Sequence, residues 1–333
     1  MPSLALRMEH LPTGYREAPR LAIDGTALQH CTPKIAHVDL DDRDLSIVLH
    51  QPRIGCGSTE QPFSLRVQSV SVDGFSLVAG QVYRVRIYVD SGTGAELVLF
   101  QLLETPGGMP VRPENGFWWS VSNGTAALRG TGIGVERQGN ELALALYGFG
   151  DDGSPVWQFG SAVLKGRTAR ISLVELAGGD PVSAPIGSVP QALQGPRLEL
   201  EFRSPGTASG WLVRSEGGRD ADVQPLDFAR APFSEGEPGR QFAGRWVLVP
   251  DEGAARVLEL ADAGLDGAMG VHLVDAATGA QLDCRLAEGR AVPDLCSLAT
   301  DGAPVADFDR IGLDRLDGRA ANGGSVTLMR VSR

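Results

Sequence analysis

The chain has 333 residues, with 30 Lys+Arg against 41 Asp+Glu, a net charge of −11 and a hydrophobic share of 42%. It holds no Lys/Arg run, so it lacks the clustered cations that a phosphate backbone requires, and nucleic acid is not an expected partner. Ordinary apolar content with dispersed charge argues against disorder, glycines without a period of three exclude a collagen-like chain, and no stretch approaches 18 apolar residues, so no transmembrane segment is expected.

At this length two or three domains are expected, each able to bury a core. The N-terminal run Met1-Pro2-Ser3-Leu4-Ala5-Leu6-Arg7 has no basic start followed by a long apolar segment, so no intact signal peptide is read there. The four cysteines fall as two local pairs, Cys31 with Cys56 and Cys284 with Cys296, and none has the Cys-x-x-Cys spacing of a zinc site. Two intradomain disulfides are expected, with four reduced buried thiols as the alternative. The disulfide reading favours an oxidising compartment: secreted, periplasmic or cell surface.

Helical periodicity is nearly absent. Short alternating runs separated by Gly, Asp-Gly and Gly-Asn predict an all-β chain, an immunoglobulin-like sandwich followed by two antiparallel meander or barrel-like domains. The sandwich is expected over 14–110, where Leu45–Leu49, Phe63–Val67, Val82–Val89 and Glu96–Phe100 read as strands. Its Cys31–Cys56 spacing is shorter than a typical inter-sheet immunoglobulin bridge, so the expectation is one of architecture rather than family. Pro106 to Pro113 reads as a linker.

The second domain, 114–232, reads as eight strands: 117–121, 130–137, 141–147, 155–164, 168–176, 197–202, 208–214 and 222–228. Tight turns such as Asp152-Gly153 join them, and a Pro-rich insertion spans Asp180 to Gly195. Eight meandering strands can close into a barrel and so remove their edges. The third domain, 239–333, repeats the style from Trp246-Val247-Leu248-Val249 to Ser325–Met329. Both later domains open on Gly-x-Trp (Gly116-Phe117-Trp118 and Gly244-Arg245-Trp246), and the expectation is that each Trp plugs one end of its barrel.

Several motifs of the middle domain occur together: Gly116-Phe117-Trp118-Trp119, Gly132 to Gly139 with Glu136-Arg137-Gln138-Gly139, Leu142 to Tyr147, and Asp152-Gly153-Ser154-Pro155-Val156-Trp157. Leu198–Phe202, Gly210 and Pro225–Arg230 follow. In this pattern 115–230 resembles an uncharacterised β module of secreted Gram-negative bacterial proteins. It departs from the module after Trp119, where Ser120-Val121 stands in place of Asn-Pro. The resemblance implies a β fold and export, and no chemistry.

Catalytic signatures are sparse. The histidines (His10, His30, His37, His50, His272) have no metal-ligand spacing, so no metal site and no cofactor are expected. No Gly-x-Ser-x-Gly occurs. Gly55-Cys56-Gly57-Ser58-Thr59 reads as a disulfide loop. Gly130-Thr131-Gly132-Ile133-Gly134 is followed by a strand rather than the helix that a phosphate loop needs. Two acidic clusters stand out, Asp39/Asp41/Asp42/Asp44 and Asp307/Asp309/Asp314/Asp317. The second has a calcium-like density of oxygen ligands without EF-hand order, and solvated turns are the plainer reading.

The aromatics Trp118, Trp119, Tyr147, Trp157 and Trp211 concentrate in the middle domain and are the candidate binding residues, with core packing as the competing reading. Neighbours Trp118 and Trp119 must face opposite sides of one strand. An exposed Trp offers a stacking platform for a sugar or for an apolar anchor of a partner. The expected function is a non-enzymatic, exported binding or adhesion protein for a protein partner or surface glycan. The alternatives are a structural subunit of a surface assembly and a carboxylate-based hydrolase.

Overall fold

The computed structural model of the chain describes residues 4–9, 20–52, 54–67, 77–121, 130–150, 152–179, 183, 187, 189–231, 241–264, 270–285 and 293–332. His10 and part of the Pro-rich insertion lie outside the described residues. Seven strands come first: β1 (Leu4–Glu9), β2 (Arg20–Leu28), β3 (Lys34–Asp41), β4 (Asp44–His50), β5 (Glu60–Val67), β6 (Val82–Asp90) and β7 (Ala95–Glu104). They form a three-stranded sheet ordered β1-β2-β5 and a four-stranded sheet ordered β3-β4-β6-β7. Alternation puts Leu45, Ile47, Leu49, Val85 and Ile87 on one face, fully buried against Leu21, Ile23 and Val67 of the other sheet. The result is a small sandwich. It is not purely antiparallel, because β4 and β6 run parallel. The chain leaves the larger sheet after β4, lays down β5 in the smaller one and returns, which supplies the crossover that a parallel pair needs.

The middle segment closes into an eight-stranded barrel of β8 (Gly116–Ser120), β9 (Gly132–Gln138), β10 (Glu141–Phe149), β11 (Pro155–Val163), β12 (Thr168–Ala177), β13 (Gln191–Ser204), β14 (Thr207–Glu216) and β15 (Arg219–Arg230). The last segment closes a second barrel of β16 (Gly244–Pro250), β17 (Arg256–Asp262), β18 (Gly270–Asp275), β19 (Ala280–Arg285), β20 (Leu295–Thr300), β21 (Ala303–Ile311), β22 (Arg315–Ala320) and β23 (Ser325–Ser332). In each, the last strand pairs with the first, so no edge is left open. Alternation fills the interiors: Leu142, Leu144 and Leu146 of β10 point inward, as do Leu258 and Leu260 of β17.

Both barrels are locked in the same way. Trp118 and Trp246 are fully buried. Each indole N–H reaches back four residues to a backbone carbonyl, Trp118 to Glu114 at 3.1 Å and Trp246 to Phe242 at 2.8 Å. The glycine two residues before each Trp has positive φ, +122° at Gly116 and +137° at Gly244. An arginine of the last strand sits opposite each Trp in the sheet register, Arg230 and Arg330. Arg230 donates to the carbonyls of Asn115 and Phe117. Arg330 donates to those of Gln241 and Ala243, and its guanidinium stacks 5.3 Å above the Trp246 ring. The Trp thus closes the barrel end at which the chain enters.

Both expected disulfides are present, Cys31–Cys56 and Cys284–Cys296. The second joins cross-strand partners of β19 and β20. The 106–113 connector is docked rather than loose: the Val111 N–H donates to the Gly166 carbonyl, and its side chain is part of the first barrel's core.

Candidate functional site

The outer face of β8 to β11 carries an aromatic lattice set by register. In one cross-strand row Trp119 lies opposite Gly132, Gly132 opposite Tyr147, and Tyr147 opposite Trp157. In the next row Phe117, Gly134, Ala145 and Phe159 follow one another, with Val174 of β12 at the end. The glycines make room for rings to lie flat. A Cβ on Gly132 would stand 2.9 Å from the Phe117 ring, and one on Gly134 would stand 3.3 Å from the Tyr147 hydroxyl. The rings touch in sequence: Trp119 edge-on to Phe117 at 4.7 Å, Phe117 tilted against Tyr147 at 5.5 Å, and Tyr147 edge-on to Trp157 at 4.9 Å. Trp157 is 69% exposed and Trp119 50%.

Beside this row runs a groove of about 800 Å³. Ala143, Ala145 and Gly160 line its middle, with Phe117 and Tyr147 on one side and Phe159 on the other. That volume suits a small ligand or a few side chains of a partner. Among the described residues lining it, Glu136 alone is charged; it also accepts a hydrogen bond from the Asn115 amide.

Three of the five expected aromatics therefore meet on one exposed face: Trp119, Tyr147 and Trp157. The other two are interior. Trp118 is the barrel lock described above. Trp211 points away from the barrel axis yet is buried, because the sandwich covers it: its ring packs 6.0 Å from Phe100, in a cluster with Val82, Leu102 and Val213. Phe117 and Phe159 belong to the site and had the same i, i+2 signal as Trp119 and Trp157.

The remaining chemistry-bearing residues are engaged elsewhere. Burial pushes the Asp44 carboxyl up, but hydrogen bonds from Arg84 and Arg86 outweigh it and hold the group below its usual range. Asp317 is bound by Arg315 and Thr327, Asp314 by Arg330, and Asp307 by Ser297. Among the described residues no three His, Cys, Asp or Glu lie grouped to hold a metal. Two buried carboxylates, Glu199 and Glu201, sit on β13 beneath the sandwich. Arg170 and Arg197 hold the first, and Arg43 and Arg167 the second.

The second barrel is an internal comparison for the first. Where the first has Phe117 over Gly134, the equivalent pair relative to the locked Trp is Arg245 with Glu259, an ion pair. Where the first has Trp119 opposite Gly132, the second has Val247 opposite Val257. The barrel lock therefore does not require an aromatic outer face. No family model matches the chain, and no curated protein matches it.

Proposed function

We propose that this chain is an exported, non-enzymatic binding protein that recognises a protein partner through the outer face of its first barrel. The observation that carries the reading is the continuous chain of touching rings Trp119–Phe117–Tyr147–Trp157, exposed at both end tryptophans, beside a groove of small residues. Exposed aromatics that stay fixed by ring contacts lose little side-chain entropy on binding, which suits them as anchors. The second barrel supports the reading, since it reaches the same closure with an ion pair and a valine pair, and no aromatic ring, at the equivalent positions. The predominantly apolar lining favours apolar side chains of a protein over the hydroxyls of a glycan. Two disulfides fit an exported chain, no helix of the described residues is long and apolar enough to cross a membrane, and export is also what the resemblance of 115–230 implies.

The test is affinity capture from a cell-envelope extract, followed by titration of the purified partner. Trp157→Ala and Trp119→Ala, made separately and together, are expected to weaken binding at least tenfold with unchanged circular dichroism. Undiminished binding in the double variant would sink the proposal. Glycan-array binding abolished by the same substitutions, with no protein captured, would replace the protein with a glycan. A structural subunit of a surface assembly is the second reading, favoured by exposed apolar side chains at Val163 of β11 and Leu176 of β12, in the same alternation as Phe159 and Val174. Light scattering that finds a monomer at high concentration counts against it.

A further inference from the structure

A second pocket lies between the sandwich and the first barrel, and it shares no lining residue with the aromatic groove. It forms where the barrel wall is incomplete. β11 and β12 pair at Phe159–Val174 and again at the Lys165–Thr168 bridge of their turn, and no ladder pair joins them in between. The gap holds about 380 Å³. Two anchors fix the sandwich across it. At one end Arg197 and Asp220 bind the Phe100 backbone. At the other the Arg167 N–H donates to the Glu104 carboxylate at 3.0 Å, and the Arg167 guanidinium donates to the Gly80 carbonyl at 2.9 Å. Gln101 and Leu102 of β7, between these anchors, line one side of the pocket. β7 is a sheet edge there, and alternation turns the Leu102 N–H and C=O to the same side as those of Phe100, so no ladder takes them.

The opposite side carries charges that the protein only half satisfies. Arg170 Nε at 2.7 Å and Arg197 Nε at 3.0 Å both donate to Oε1 of Glu199, whose side chain is 3% exposed. Its Oε2 accepts no hydrogen bond from the described residues, yet it is not sealed in, because Glu199 lines the pocket. Arg170 engages Nε alone, which leaves its terminal nitrogens for a ligand. The Lys165 ammonium, also at the pocket, has no hydrogen bond or ion pair among the described residues. We propose that this pocket binds a free amino acid with a short apolar side chain. The ligand's ammonium meets Glu199 Oε2, its carboxylate meets Lys165 and Arg170, and its side chain lies against Ala162 and Val163. A simple anion would leave the buried Glu199 oxygen without a donor and set a like charge beside it. A simple amine would leave both cations without an acceptor. A zwitterion answers both needs with charge-assisted hydrogen bonds, and the Leu102 N–H and C=O add a neutral donor and acceptor. The volume sits at the small end of ligand pockets, and the junction of two domains is a common place for one.

Isothermal titration calorimetry of the full chain with L-valine at neutral pH reads this directly, and saturable binding is expected. Isovalerate, which is valine without its ammonium, and isobutylamine, which is valine without its carboxylate, should each bind about tenfold more weakly or worse. Lys165→Met should weaken valine by about tenfold, whereas Lys34→Met, at the chain's other lysine on β3, should leave it unchanged. Absence of saturable valine binding overturns the proposal. So does isovalerate that binds as tightly as valine, or an affinity that Lys165→Met leaves unmoved. Inorganic phosphate that displaces valine at equal concentration would make this a general anion site and overturns it too. Should Lys165→Met not fold, the two analogues decide the matter on the unmodified protein.

Discussion

A glycine and an arginine explain how each barrel closes. Gly116 is needed twice over, for its positive φ and because a Cβ there would stand 2.4 Å from the Arg230 guanidinium. Gly116→Ala should drive Arg230 off the carbonyls of Asn115 and Phe117 and leave a buried charge poorly satisfied, at about 2–4 kcal/mol. Gly139 also has positive φ, +63°, but nothing lies within 4 Å of its Cβ position. Gly139→Ala carries only the backbone strain, about 1 kcal/mol. Urea denaturation of the two variants separates the contact from the dihedral, and equal losses would mean that Arg230 is not the reason for the glycine. The repeated Gly-x-Trp was legible in sequence. The arginine was not, because it lies at the far end of each barrel and only closure brings it opposite the Trp.

At the scale of strands, alternation carried the reading a long way and then stopped where one layer covers another. It predicted the eight strands of the first barrel and the opposite facing of Trp118 and Trp119, buried and half-exposed respectively. It also puts Trp211 on the outside of β14. Nothing local to β14 shows that the sandwich lies over it, so the residue reads as a binding candidate and proves to be interface. The lattice on the opposite side of the barrel stays uncovered. There the rings divide by task. Tyr147 shields the bare backbone of Gly134, and Tyr147→Ala should cost about 1–2 kcal/mol through lost ring contacts. Trp157 is mostly solvated, so Trp157→Ala should cost less than 1 kcal/mol while impairing recognition. Thermal melts of the two variants check the order, and a larger loss for Trp157 would assign it to the fold rather than to the partner. Each disulfide constrains a short loop, of 25 and 12 residues. Reduction is expected to remove roughly 3 kcal/mol apiece in the chain-entropy model, visible as a lower melting temperature in dithiothreitol.

For the whole molecule, the junction between sandwich and first barrel shows how an edge strand is finished without another strand. β7 borders its sheet, and at Phe100 its N–H donates to Asp220 at 2.7 Å, while its carbonyl accepts from Arg197 at 2.8 Å. Arg197 also holds Asp220 and Glu199, all three at least four-fifths buried. Burial pushes the Glu199 carboxyl up, against the pull of Arg170 and Arg197. Removing one partner of such a group leaves the others charged and unpaired, so Arg197→Ala should cost about 3–5 kcal/mol. The more exposed pair Arg219–Glu96, which spans the same junction, should lose less than 1 kcal/mol in Arg219→Ala. The Arg197→Ala loss also has a direction in pH. Without the arginine, burial pushes the Glu199 carboxyl further up with one less cation to oppose it, so lowering the pH eases the uncompensated charge by favouring the protonated form. The variant should therefore fall further behind the unmodified protein at pH 8 than at pH 5, in denaturation midpoints measured at both. A deficit that is the same at the two values would mean that packing around Phe100 and Trp211, rather than the charge network, holds the sandwich to the barrel.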